Sequence, residues 1–235
     1  MPSPNAAPVR PILFLHLPKT AGTTLKGIIE QVYPPERVAF LKVQRGEMES
    51  FAQRPQGERD AFDVVAGHMP WSARALLPAA AVITLLRDPL ERVVSWFYYN
   101  LSSPNAALHA ELHGQGITFE RAVTERRYPG VYNQMVDMLR DPRAPDLRGA
   151  VASAKQHLAQ CAAFGIAERF DDSVRHFSQV LRWPETTREN RNVTEGRPAL
   201  ADLDPAVIQR LRRDCGADVE LYEFARRLFE SRVGA

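Results

Sequence analysis

The fold class follows from residues 11–32, Pro-Ile-Leu-Phe-Leu-His-Leu-Pro-Lys-Thr-Ala-Gly-Thr-Thr-Leu-Lys-Gly-Ile-Ile-Glu-Gln-Val. Residues 11–16 form a compact apolar run, which is typical of a buried strand. After a short polar loop, apolar side chains recur at helical spacing, at Leu25, Ile28, Ile29 and Val32. A strand, a loop and a helix in this order form the repeating unit of α/β proteins.

Apolar runs and helical patterns continue to alternate along the chain. We predict further strands at 37–41, 63–66, 82–86 and 164–166. Helical patterns follow the fourth strand and fill the last third, at 173–181, 204–213 and in a final helix through Leu221 and Leu228. The sequence therefore predicts one α/β domain of a P-loop-like kind. It has a central, mostly parallel sheet flanked by helices and a helical C-terminal third.

Composition narrows the class of protein. The 235 residues include 30 basic and 28 acidic side chains, which interleave, so we do not expect a nucleic-acid binder. Residues 1–10 carry three prolines and no apolar signal core, which predicts a disordered leader before a domain at 11–235. No apolar run approaches the ~20 residues that span a bilayer, so we expect a cytoplasmic protein without stable membrane insertion. Cys161 and Cys215 show neither a disulfide framework nor metal-site spacing.

The loop between the first strand and helix is the first candidate binding site. Its backbone N–H groups and the helix dipole favour a phosphate or sulfate. Lys19 is one of only four lysines in the chain, and it can add a point charge. Gly22 permits close backbone approach, and the threonines add hydroxyl donors. The candidate contacts are Pro18, Lys19, Thr20, Ala21, Gly22, Thr23 and Thr24. The plainer alternative is a strand-to-helix turn capped by threonine.

Two other strand ends carry candidate site residues. Arg87 follows the fourth strand, where Asp88 and Pro89 suit a helix start, and Ser95 lies two turns into that helix. Arg87 and Ser95 could share a phosphate, or they could be a structural ion pair and an exposed serine. His68 follows the third strand, where an imidazole could take a proton from an alcohol or simply hold a turn.

These motifs together resemble those of sulfotransferases that use 3′-phosphoadenosine 5′-phosphosulfate (PAPS). The motif His-x-Pro-Lys-Thr-Ala-Gly-Thr-Thr is most similar to that of the branch that includes heparan sulfate 2-O-sulfotransferase. The resemblance continues in the same order along the chain from Ile12 to Phe229. The resemblance implies that residues 18–24 hold the 5′-phosphosulfate and that Arg87 and Ser95 hold the 3′-phosphate. It implies Lys19 and His68 as catalytic residues, with His68 as the base.

The resemblance is weaker at two places. The branch has a second histidine where this chain has Ala66, which implies a single base or a different acceptor. The polar stretch 184–198 falls where relatives close a loop over the nucleotide. Asn192, Thr194 and Arg197 are therefore candidate donor contacts, with an exposed surface loop as the equal alternative.

The expected reaction is sulfuryl transfer from PAPS to a hydroxyl of a carbohydrate or glycosylated small molecule. The by-product is adenosine 3′,5′-bisphosphate (PAP), and no metal is required. A metal site at His109 and His113 is disfavoured, because the spacing of Glu111 does not fit a zinc helix. A small-molecule kinase and a non-catalytic nucleotide- or glycan-binding module are the alternatives. The acceptor, the choice between O- and N-sulfation and the oligomeric state stay open.

Overall fold

The computed structural model describes residues 7–42, 46–186 and 196–234 and contains one five-stranded parallel sheet. Its strands are β1 Ile12–Leu15, β2 Val38–Leu41, β3 Val64–Gly67, β4 Ala81–Leu86 and β5 Ala163–Ile166. Their order in the sheet is β2-β3-β1-β4-β5. All five predicted strands are confirmed, each end within one residue, because continuous apolar runs suit strands covered on both faces.

The described helices occupy the segments between the strands and most of the last third of the chain. They are α1 Gly22–Val32, α2 Glu47–Ala52, α3 Gln56–Asp60, α4 Pro89–Ser102, α5 His109–Gly114, α6 Phe119–Thr124, α7 Gln134–Leu139, α8 Leu147–Gln160, α9 Phe170–Leu181, α10 Pro205–Asp214 and α11 Gly216–Val233. The predicted α/β class and the helical C-terminal third are both confirmed. None of the helices in the described ranges is long and apolar enough for a bilayer crossing.

Helices cover both faces of the sheet. On one face α1 and α9 pack against alternate strand residues such as Phe14, and Phe177 of α9 is fully buried there. On the other face α7, α8 and α11 cover residues such as Leu13, with Leu221 fully buried. Complete burial of a leucine or phenylalanine contributes about 1.5–3 kcal/mol, so these two layers hold the sheet rigid. Helices α4, α5, α6 and α10 form a third apolar cluster beside it.

Polar ties fix α4, α7 and α11 to one another. Arg92 of α4 is fully buried and lies 3.7 Å from Asp218 of α11. It also donates to the side chain of Gln134 at 2.8 Å and to the carbonyl of Val131. Asp218 accepts the first backbone N–H groups of α7, while Asn133 accepts those of α11 at Ala217 and Asp218. Arg92 is therefore a structural residue.

The connections leave a crevice at one edge of the sheet. From β1 the chain moves outward to β2, and from the adjacent β4 it moves to β5 on the opposite side. In open α/β sheets, ligands bind outside the carboxyl ends of two such strands. The loop after β1 and Arg87 after β4 flank this crevice.

Candidate active site

The sequence-predicted residues meet along the carboxyl edge of the sheet. Reading across the strands, His68 follows β3, the loop 16–21 follows β1, Arg87 follows β4, and Glu168 follows β5. Neighbouring strands lie about 4.8 Å apart, so these side chains share one shallow surface. The loop after β1 is at its centre, with His68 on one side and the two charged residues on the other.

The central loop exposes the N-terminus of α1. Lys19 and Ala21 both adopt left-handed backbone conformations, with φ of 66° and 67°. This conformation is uncommon outside glycine, and successive turns of this kind gather backbone N–H groups into an anion-binding concavity. Helix α1 has no side-chain cap and no acidic residue in its first turn. Its positive end is therefore not compensated by a cap or by an acidic side chain of its own first turn, which favours a bound anion.

The three threonines of the loop play different parts. Thr20 is fully buried, and its hydroxyl donates to the carbonyl of Leu17 at 2.8 Å, so it stabilises the turn. Thr23 is exposed on the first turn of α1, while Thr24 is buried. Of the three hydroxyls, that of Thr23 is therefore the most open to a ligand, and Thr20 offers its backbone.

Three cations converge beside the loop. Arg87 donates to the carbonyl of Lys19 at 3.2 Å, and the Lys19 Nζ lies 3.9 Å from the centre of the Tyr99 ring. Partial burial, followed by the charges of Arg87 and Arg197, lowers the pKa of Lys19 to about 8. The pKa of Arg87 is also lowered, first by burial and then by Arg197. A site in which positive groups depress one another's pKa favours an anionic ligand.

Glu91 balances two of these cations. Its Oε2 lies 3.3 Å from Nη2 of Arg87 and 2.6 Å from Nη1 of Arg197. Ser95 lies one turn after Glu91 and one turn before Tyr99, so all three share a face of α4. Ser95 is buried on the face of α4 whose neighbouring residues, Glu91 and Tyr99, contact the cations.

Glu168 connects the cluster to the C-terminal helix. Its Oε1 accepts the backbone N–H of Asp88 at 3.1 Å and lies 3.8 Å from Nε of Arg87. Its Oε2 accepts the hydroxyl of Tyr222 at 2.8 Å, and burial followed by Glu168 raises the pKa of that phenol. Asp88 itself caps α4, as predicted, by accepting from the backbone of Leu90 and Glu91. The guanidinium of Arg87 is thus held on both sides by carboxylates.

His68 is exposed, but its ring orientation is fixed. Its Nδ1 lies 2.6 Å from the carbonyl oxygen of His16. Because a carbonyl can only accept, Nδ1 carries a proton, and in the neutral form of the ring Nε2 then has the lone pair. That is the tautomer a general base requires.

Four residues of the site were given no role from the sequence, and two predicted residues lie outside the described part of the chain. Sequence reasoning assigned no role to His16, Glu91, Tyr99 and Glu168, although His16 stands in the quoted motif and Glu91 follows Arg87 at four-residue spacing. Asn192 and Thr194 lie outside the described residues, whereas Arg197 lies in the cluster. Among the residues that the structure describes, no three His, Cys, Asp or Glu side chains are grouped as metal ligands would be.

Fold and site together define an α/β protein with an uncapped helix N-terminus, three cations and an oriented histidine at one sheet edge. The sequence matches the model of a family described as the sulfotransferase family over residues 5–225, so the chain belongs to the sulfotransferase family. No curated protein matches it significantly. Among solved structures, mouse sulfotransferase SULT7A1 complexed with PAP is similar at 13% identity with a TM-score of 0.43. The match covers 88% of this chain and 63% of that one, less than two thirds of its length.

Proposed function

We propose that this protein transfers the sulfuryl group of PAPS to a hydroxyl of a carbohydrate or glycosylated small molecule. The observation that carries the proposal is the uncapped N-terminus of α1 beside Lys19, Arg87 and Arg197, one strand spacing from a histidine whose Nε2 can accept a proton. Membership of the family supports the chemistry. The finer placement, in the branch of heparan sulfate 2-O-sulfotransferase, rests on the wording of the loop at 16–24.

The chain's own groups fit the donor. The N-terminal N–H groups of α1 and the Thr23 hydroxyl would hold the 5′-phosphosulfate, with Lys19 beside it. Arg87, Ser95 and Arg197 would hold the 3′-phosphate on the β4 side. Planar guanidinium groups suit a bidentate phosphate contact, whereas the ammonium of Lys19 suits a single oxygen.

The reaction then divides between two residues. His68 Nε2 takes the proton as the acceptor oxygen forms its bond to sulfur. The bond between sulfur and the bridging oxygen breaks, and Lys19 stabilises the negative charge that remains on the 5′-phosphate of PAP. The positions of His68 on the β3 side and Lys19 over β1 suit attack from the side opposite the leaving group. Positioning and charge stabilisation dominate such transfers.

The test combines binding with turnover. Lys19→Ala should lower turnover by ~10²–10³-fold, the usual effect of losing one such donor, while PAP still stabilises the protein against heat. Arg87→Ala should mainly weaken PAP binding, by about 10- to 100-fold, because charge-assisted hydrogen bonds contribute ~1.5–3 kcal/mol. Lys155→Met is the matched control, since Lys155 pairs with Glu220 on the surface and should leave both properties unchanged.

Binding assays separate the alternatives. Thermal stabilisation by PAP without Mg²⁺ supports sulfuryl transfer, whereas stabilisation only by ATP with Mg²⁺ would indicate a kinase. Mass spectrometry of candidate sugars incubated with PAPS should show an added sulfate. PAP binding without PAP release from PAPS, over a broad acceptor panel, would leave a non-catalytic binding module. Wild-type turnover in both Lys19→Ala and Arg87→Ala would refute the site.

A further inference from the structure

Two imidazoles from neighbouring strands meet at the edge of the sheet. His16 and His68 each follow the last residue of their strand, and those residues, Leu15 and Gly67, are paired in register. The backbone N–H of His16 donates to the carbonyl of Gly67 at 2.9 Å, which extends the ladder by one residue. The two ring centres lie 4.5 Å apart. The sheet itself therefore places the two histidines side by side.

The ring of His16 packs against Phe14 and Gly22. It stacks on Phe14 with 5.3 Å between centres and an 18° angle between planes. A Cβ atom at Gly22 would lie only 2.0 Å from Cδ2 of His16, so the ring occupies the space that this glycine leaves open. His68, by contrast, is exposed, and its ring needs a support to stay on the carbonyl of His16. The fixed ring of His16 provides one.

His16 also stays uncharged. Burial lowers its pKa to about 3, and the neighbouring charges of His68, Lys26 on α1 and Lys19 in the loop act in the same direction. A neutral neighbour does not repel the imidazolium that forms when His68 accepts a proton. His16 is therefore suited to hold the base without exchanging protons with it.

We propose that His16 is a positioning residue, whose ring holds His68 in the orientation that directs Nε2 toward the acceptor. The proposal rests on the proposed function, because it assigns His16 a part in the same transfer. His16 orients His68 through the packing of its flat ring and not through hydrogen bonds from its nitrogens. It also gives Gly22 a second reason to be glycine, besides its place at the start of α1.

Turnover measurements test the role of the ring. His16→Ala should lower kcat by roughly 10- to 100-fold, less than the ~10²–10⁴-fold expected for His68→Gln. The KM for PAPS and the Kd for PAP should change less than about twofold, because the donor is assigned to the backbone of α1 and to the cations, and not to the His16 ring. His16→Phe restores an aromatic ring and should recover most of kcat. Wild-type kcat in His16→Ala would overturn the proposal, as would a His16→Phe variant as inactive as His68→Gln.

A second measurement does not depend on activity. Long-range ¹H–¹⁵N NMR should show His68 as the Nδ1–H tautomer in the wild-type protein and as a mixture in His16→Ala. Thermal shifts with PAP confirm that each variant is folded. An unchanged His68 tautomer in His16→Ala would refute the positioning role even if sulfuryl transfer is established. Failure of PAPS turnover with an intact tautomer effect would instead refute the proposed function alone.

Discussion

Binding of PAP should take up protons near pH 8, because Lys19 is then only half protonated in the free protein. Its pKa is lowered from 10.5 to about 8, first by burial and then by Arg87 and Arg197. A phosphate beside the ammonium favours the charged form, so the bound protein keeps Lys19 protonated. At pH 8 this amounts to uptake of up to about half a proton for each PAP bound.

The same linkage sets the pH dependence of affinity. Below pH 7 Lys19 is already charged and binding needs no extra proton. Above pH 8 each unit of pH removes most of the remaining charged form from the free protein. If bound Lys19 returns to its ordinary range, the apparent affinity for PAP should fall roughly tenfold between pH 7 and pH 9. The phosphate groups of PAP add little titration between pH 7 and pH 9, because their second pKa lies near ~6.

Titration calorimetry in two buffers with different ionisation heats measures the uptake directly. Lys19→Met should abolish it, and His68→Gln should not, which separates the two titratable groups. Arg197→Ala removes one of the charges that depress the pKa of Lys19, so uptake should move to higher pH. PAP binding at pH 8 without proton uptake would refute this reasoning, as would equal uptake in Lys19→Met.

Two further predictions concern the scaffold, and urea denaturation measures both. Gly22→Ala should cost about 1–3 kcal/mol from overpacking against His16, and little in a His16→Ala background where the helix gains propensity. Equal costs in both backgrounds would contradict the placement of the His16 ring. Asp218→Asn should cost about 3–5 kcal/mol, because it leaves the buried Arg92 without its counter-ion. Asp137→Asn is the control, since its pair is on the surface and should matter little; similar losses in the two variants would count against the buried pair.

Local signals in the sequence predicted the framework well. The strands are short apolar runs, and the Asp88-Pro89 cap of α4 depends on residues only two or three positions apart. The loop at 16–21 could be identified for the same reason, since its position between a strand and a helix is a local property. The hydrogen-bond partners of the loop's side chains were harder to predict, because they depend on how the loop folds. The hydroxyl of Thr20, assigned to a ligand from its motif, donates to Leu17 in the fold.

The missed residues depend on the order of the strands. Glu168 reaches Arg87 only because β5 lies beside β4, although the two residues are far apart in the chain. His16 was part of the quoted motif, but its partner His68 becomes a neighbour only when β3 pairs with β1. Periodicity gives strands and not their order. Sequence patterns therefore could not predict which side chains contact one another across neighbouring strands.

With a net charge of only +2, the chain would hold the acidic donor of the proposed reaction by a few placed cations and not by a broadly basic surface. Arg87 and Arg197 share the carboxylate of Glu91, so a 3′-phosphate can replace that carboxylate as their partner rather than add to it. Lys19 has no such carboxylate partner among the described residues, and its neighbours depress its pKa instead. A guanidinium at this position would stay protonated throughout, because arginine does not titrate below pH ~12. With lysine, the charge near and above pH 8 is completed only when an anionic donor is in place, so under the proposed function donor binding and protonation of Lys19 are linked in that pH range. This linkage distinguishes lysine from arginine at this position, in a chain that uses arginine almost everywhere else.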